Sequence, residues 1–307
     1  ISSVFAQSEQ EPSPATLVVR AYFDDPALVA ELASWLEPWQ VDYSKGVLVV
    51  GVSAEQYALL EEMGFRLEID QELTAQVATA GTPLPGQING IPGFPCYRTV
   101  EETYAAALSL VFTNQQLAEW IDIGDTWEKF NHVGGYDLRV LRLTNETISM
   151  PKPVLFITAS IHAREYTPAE LTTRFAEYLV ANYGIDADVT WLLDYHEIHL
   201  MLQSNPDGRK RAETGISWRK NANNNYCSNT DSRGADLNRN FEFQWGSCGG
   251  SSGSPCAETY RGPSPASEPE TMAVQAYLRS IFPDQRDDPL NDPAPTDATG
   301  VYLDIHS

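Results

Sequence analysis

The stretch "ASIHAREYTPAE" at 159–170 follows the apolar run "PVLFIT" and sets His162 three positions before Glu165. An apolar, β-branched run that gives way to an amphipathic stretch reads as a strand-to-helix turn, where side chains stand free at a sheet edge. With 42 acidic residues among 307, an acid near a histidine is a common accident, so the pair alone says little. A third donor gives it weight. His306 stands at the tip of "VYLDIHS", another apolar run that reads as a buried strand. Two imidazole nitrogens and one carboxylate are the three protein ligands of a catalytic zinc, with a fourth position left open. The 141 positions between Glu165 and His306 fit a ligand brought in by tertiary folding. His196 and His199 in "DYHEIHL" lie three apart on what reads as a strand, so they face opposite sides and cannot chelate one ion together. They read as structural.

Two further polar knots, "ISWRKNANNN" and "GADLNRNFEFQW", have a plain reading as Asn-rich surface loops. Their functional reading is an anion pocket. Guanidinium forks suit a carboxylate, and a neighbouring amide adds a neutral donor that fixes orientation. Arg219 and Arg239 with Asn238 could hold one carboxylate and one developing oxyanion.

The elements that must position these residues alternate in character. "YDLRVLRLT", "PVLFITAS" and "YHEIHLMLQSNPDG" read as strands, "TVEETYAAALSLVF", "NQQLAEWIDIG" and "MAVQAYLRSIF" as helices. "TPAELTTRFAEYLVANYG" reads as a helix capped by Thr167, with Pro168 at its first position, Gly184 at its end, and Leu171, Phe175, Tyr178, Leu179 and Asn182 on one face. Strands alternating with amphipathic helices imply an α/β sheet. Residues 16–70 read separately as a β-α-β-β-α-β open sandwich. The Gly/Pro/Thr/Ala-rich stretch that follows reads as a linker open to proteolysis.

Bulk properties narrow the function. A hydrophobic content of 42% supports a real core, and a net charge of −22 makes nucleic acid a poor partner. No run approaches the length of a bilayer span. The chain opens without Met, and "VFA" before Gln7 resembles the small-residue end of a signal peptide. Of Cys96, Cys227, Cys248 and Cys256, three fall in one Gly/Ser-rich polar stretch, without CxxC or zinc-ribbon spacing. That usage fits an oxidising compartment and a secreted, extracellular protein, and leaves three pairings open.

"HARE", "NPDG", "WRK", "DLNRNF", "SPCAETYRGPSPASEPE" and "DIHS" stand in the order, and at about the separations, found in zinc carboxypeptidases of the carboxypeptidase A/B type. From Tyr97 to Ser307 the chain resembles that family. The resemblance implies an α/β fold, a mixed, mostly parallel sheet with helices on both faces. It implies one zinc ion per chain on His162, Glu165 and His306, and an exopeptidase that hydrolyses the C-terminal bond of peptides and proteins. Arg219 resembles the residue that polarises the scissile carbonyl. Asn238 and Arg239 resemble the clamp on the substrate's C-terminal carboxylate, and Arg164 and Ser307 outer subsite positions. Residues 16–70 resemble the family's activation propeptide in element order, which implies a zymogen and an activating protease as partner. The expected organisation is a signal-peptide remnant (1–15), a small α+β prodomain (16–72), a linker (73–95) and a catalytic domain (96–307).

Three departures stand beside the likeness. The family's general-base glutamate, capping tyrosine and specificity pocket fall past the position of Ser307. The catalytic domain is therefore expected to be C-terminally incomplete, with a non-catalytic carboxylate- or peptide-binding relative as the alternative. Cys227 and Cys256 resemble the positions of a family disulfide, with Cys248 paired to Cys96 or free. "DQRDDPLNDPAPTDATG" at 284–300 reads as a solvated acidic loop rather than a calcium site.

Overall fold

Apolar runs build both sheets seen among the described residues, and β-strands in the middle of each are buried almost continuously rather than on one face alone. The computed structural model describes residues 16–78, 81–247, 249–286 and 293–307. The expected signal-peptide remnant and Cys248 lie outside the described residues. Two units are distinguished, residues 16–32 with 37–78 and residues 33–36 with 81–307.

The first unit contains β1 (Leu17–Tyr22), α1 (Ala27–Ala33), β2 (Gln40–Asp42), β3 (Val47–Val52), α2 (Ala54–Glu62), β4 (Arg66–Ile69) and α3 (Gln71–Ala78). Its antiparallel sheet runs β2-β3-β1-β4, with Val18, Leu48 and Val50 wholly buried. A capping box starts α2: the Ser53 hydroxyl accepts from Gln56 N–H while the Gln56 side chain accepts from Ser53 N–H. The β-α-β-β-α-β order matches the sequence reading. Its expected linker does not, because α3 occupies residues 71–78. Asp70 accepts from Leu73 N–H, and the Thr74 hydroxyl accepts from Val18 N–H at 2.9 Å, fastening α3 to β1. The later part of the expected linker is also folded. Ile91 is wholly buried, and Gly90 N–H donates to the Glu102 carboxylate.

The second unit contains α4 (Val100–Thr113), β5 (Ala118–Asp125), α5 (Trp127–Phe130), β6 (Asp137–Leu143), β7 (Val154–Ala159), α6 (Thr167–Asn182), α7 (Ala187–Tyr195), β8 (Glu197–Met201), α8 (Pro206–Ala212), α9 (Pro269–Ile281) and β9 (Val301–Ile305). The sheet order is β5-β6-β8-β7-β9. It is mixed, as expected, with β7 parallel to both β8 and β9 and antiparallel pairing at β5–β6 and β6–β8. Alternation divides the core between two faces. Leu141, Leu143, Ile157, Ile198 and Leu200 meet residues of α4, α6 and α7, whereas Leu138, Val140, Phe156 and Met201 meet α9.

Five local expectations need correction, the first being the cap of α6, where Tyr166 and not Thr167 stands at the N-cap and Thr167 is the first helical residue. "NQQLAEWIDIG" is not helical, since its second half forms β5, a strand bulged between Asp122 and Gly124. In α6 the buried face carries Ala169, Thr172, Thr173, Ala176 and Leu179, while Leu171 and Tyr178 are about half exposed. The strand at "YHEIHLMLQSNPDG" ends at Met201, and Asn205 then caps α8 by accepting from Gly208 N–H. β9 is a strand but not a buried one, because it is an edge strand of the sheet formed by the described residues, with Val301, Tyr302 and Leu303 exposed.

His196 and His199 have structural partners, as read. His196 caps α7, and His199 lies 2.6 Å from the Tyr277 hydroxyl and 3.1 Å from Glu197.

Candidate metal centre

Parallel pairing of β7 with β9 puts the ends of both strands on one edge of the sheet. The register matches Thr158 with Asp304 and Ala159 with Ile305, so the residues following each strand start side by side. After Ala159 the chain turns through Ser160, which is buried at φ 59°. Neighbouring loops fix that turn. Asn205 Nδ2 donates to the carbonyls of Ile161 and Lys220, and Ala163 N–H donates to Arg219 O. Gly208 makes the approach possible, because a Cβ there would meet Lys220 O at 2.5 Å. The turn then passes into α6 with Pro168 in the first helical turn.

His162 and Glu165 on this turn meet His306 beyond β9. His162 Nδ1 lies 2.8 Å from Glu165 Oε1 and 3.2 Å from His306 Nδ1, and His306 Nδ1 lies 3.1 Å from Glu165 Oε2. One donor atom from each falls within 4.8 Å of the others. Tetrahedral zinc with Zn–N bonds of about 2.0–2.1 Å needs donors spaced by about 3.3 Å. The donor set and its spacing fit the ion.

The outer nitrogens are also held. His162 Nε2 lies 3.2 Å from Asp236 Oδ1, and His306 Nε2 lies 2.9 Å from Asp304 Oδ2. Asp304 is itself fixed through Oδ1, which accepts from the Thr158 hydroxyl at 2.8 Å. A carboxylate on the far nitrogen of a histidine sets its tautomer and leaves the near nitrogen to a metal.

Asp236 joins the histidine to Arg219. Its Oδ2 accepts from Nε and Nη2 of Arg219 at 3.1 and 3.0 Å, and both side chains are buried. Burial pushes the Asp236 carboxyl up, but the Arg219 guanidinium and His162 pull it further down, well below the usual carboxylate range. Burial likewise works against Glu165, yet His162 and His306 draw its carboxyl down to about 2. Hydrogen bonding to Asp304 and Glu165 pushes His306 up to about 10.

A 3-10 turn at Leu237–Arg239 presents the other named residues. Asp236 caps it by accepting from Asn238 N–H at 3.0 Å. Asn238 Nδ2 reaches to 3.4 Å from His306 Nε2, whereas Arg239 Nε donates to Gly250 O at 2.8 Å. Arg164 forms an ion pair with Glu258, and Ser307 N–H donates to Glu165 Oε2 at 3.3 Å. The structure thus gathers His162, Glu165, His306, Arg219 and Asn238 around one carboxylate-rich centre.

Residues 104–307 match the sequence model of the zinc carboxypeptidase family, peptidase M14. The chain belongs to the zinc carboxypeptidases. It is 30% identical over 213 residues to carboxypeptidase A2 of Rattus norvegicus, covering 69% of this chain and 47% of that protein. It is 30% identical over 234 residues to metallocarboxypeptidase A of Trichophyton tonsurans, covering 76% and 51%. The chain spans about half the length of these curated relatives. Among solved structures it resembles carboxypeptidase A of Helicoverpa armigera, with a TM-score of 0.75 at 21% identity over 97% of this chain and 71% of that one. It also resembles thrombin activatable fibrinolysis inhibitor, with a TM-score of 0.64 at 25% identity over 86% and 68%.

Within this zinc carboxypeptidase chain, sequence reasoning passed over Asp236, Asp304 and Glu258. The signal was present for the first two: Asp236 opens the same "DLNRNF" that supplied Asn238 and Arg239, and Asp304 precedes His306 in "DIHS". Cys227 and Cys256 form a disulfide, and Cys96 is exposed with no disulfide partner among the described residues. Lys220 is buried beside the bridge, where its ammonium donates to the carbonyls of Pro255 and Ala257 at 3.1 and 2.9 Å. Burial pulls it down to about 8.

Proposed function

We propose that the protein is a zinc-dependent exopeptidase that hydrolyses the C-terminal peptide bond of peptides and proteins. The observation that carries this reading is the meeting of His162, Glu165 and His306 at coordinating distances from two remote parts of the chain. Zinc held there supplies a Lewis acid that makes water a usable nucleophile near neutral pH. Arg219 keeps its charge against Asp236 and offers a fixed cation to a developing oxyanion, an interaction worth about 3–4 kcal/mol of barrier in a dry site. Asn238 and Arg239, presented by the 3-10 turn, take the substrate's free carboxylate. Arg164 and Ser307 line outer subsites.

We read the protein as secreted, which the Cys227–Cys256 bridge supports. We read the first unit as an activation segment removed by a protease, supported by its place ahead of the family match at residue 104. Mass spectrometry of peptides incubated with the full-length natural protein tests the central claim. One C-terminal residue should be released from a peptide with a free carboxylate, and none from its C-terminal amide. Release that ignores amidation, or that Arg239→Ala leaves unchanged, would overturn the clamp assignment.

A further inference from the structure

Arg209 on α8 is among the largest wholly buried side chains of the described residues. Its Nη2 donates to the Ser160 hydroxyl at 2.6 Å and to the Glu165 carbonyl at 2.5 Å. Its guanidinium carbon lies 4.7 Å from the centre of the Tyr166 ring, and the Tyr166 hydroxyl donates to Ala212 O at the end of the same helix. Its Nε and Nη1 have no hydrogen-bond partner among the described residues. A buried guanidinium with no carboxylate hydrogen-bonded to it is a poor stabilising device, because desolvating the cation costs more than two neutral acceptors return. Its two acceptors, however, bracket the turn that carries His162 and Glu165. One is the hydroxyl of Ser160, whose backbone sits in the left-handed region, and the other is the main-chain carbonyl of Glu165 itself.

We infer that Arg209 is a positioning residue for the proposed metal site, closing the 160–165 turn so that His162 and Glu165 keep their coordinating separation. The inference rests on the reading of His162, Glu165 and His306 as metal ligands. The guanidinium grips the Glu165 backbone, so its carboxylate stays with the two histidines. Lysine carries a cation to the same place but lacks the planar guanidinium that lies over the Tyr166 ring and presents Nη2 to both acceptors.

The test is zinc affinity of the metal-stripped full chain, measured by competition with a chromophoric chelator, with near-UV circular dichroism reporting the fold. Arg209→Met should bind zinc about tenfold or more weakly, in the range seen for groups that orient ligands. Arg209→Lys should recover part of that loss. Ser160→Ala, which keeps the cation and removes one acceptor, should weaken binding severalfold and decides the matter if Arg209→Met does not fold. Folded Arg209→Met or Ser160→Ala protein with affinity within twofold of the parent would overturn the inference. Tighter binding by Arg209→Met, as expected if the cation merely repelled the ion, would overturn it as well. A parent chain that binds zinc no better than His162→Ala would instead remove the metal reading beneath it.

Discussion

Nε2 of His162 stands 3.2 Å from Oδ1 of Asp236, and both side chains are sealed from solvent. The other oxygen of that carboxylate takes two N–H groups of Arg219, so one acid orients a metal ligand and holds a cation. Asp236→Ala should therefore act twice. Loss of the ligand's support should lower zinc affinity by about 10–100-fold. Removal of one partner from a buried ion pair should cost about 3–5 kcal/mol of stability. Chelator competition and urea denaturation measure the two effects separately, and a change in only one would break the shared role.

Zinc that binds only the folded chain should raise its stability by mass action, by about 4 kcal/mol when free metal stands a thousandfold above the dissociation constant. His306→Ala removes one of three donors and should abolish most of that increment. The check is the melting temperature of parent and variant with zinc and with excess chelator. A zinc-dependent rise that survives in His306→Ala would place the ion elsewhere.

Glu270 on α9 is buried, accepting from Trp127 N–H and Asn221 Nδ2 at 2.8 and 3.1 Å. Burial pushes its carboxyl up to about 8. A carboxyl raised above its unfolded value near 4.5 favours folding most below that value, and the contribution disappears as pH rises through about 8. Stability should fall over this window by an amount on the order of a few kcal/mol, and Glu270→Gln should flatten the slope. Melting temperatures from pH 5 to 8 decide it: equal slopes would mean that Glu270 enters the fold ionised.

The Cys227–Cys256 bridge closes a loop with a sequence separation of 29. Chain-entropy arguments give such a closure about 3–4 kcal/mol. Cys227→Ser paired with Cys256→Ser should lose about that much in chemical denaturation. The same change should loosen the loop that Lys220 grips, making amide exchange near Pro255 and Ala257 faster.

The β7–turn–α6 unit was legible because its pattern switches from an apolar run to helical periodicity at the residues that do the chemistry. β5 was not. Leu117, Trp120 and Ile121 are spaced as on a helix, and the bulge near Gly124 breaks the alternation that would have marked a strand. The buried face of α6 was misjudged because Thr172 and Thr173 face inward while Leu171 and Tyr178 do not, and side-chain polarity alone cannot tell which way a mixed helix is rolled. All three metal donors were readable as residue types. Of their supports, Asp236 stood in a motif already singled out, whereas Arg209 stands in the charged run "RKR", which looks like solvent-facing surface although the side chain is wholly buried.

The register that matches Ala159 with Ile305 has a temporal meaning as well as a spatial one. His162 and Glu165 can be set by their own turn and by α8, but His306 arrives only when β9 has zipped onto β7 across most of the second unit. Long-range parallel pairing of this kind is slow, because chain closure must be completed before its contacts are gained. A coordinated ion at this centre would therefore report that β9 has paired with β7, and metal uptake followed in time would read out that long-range step.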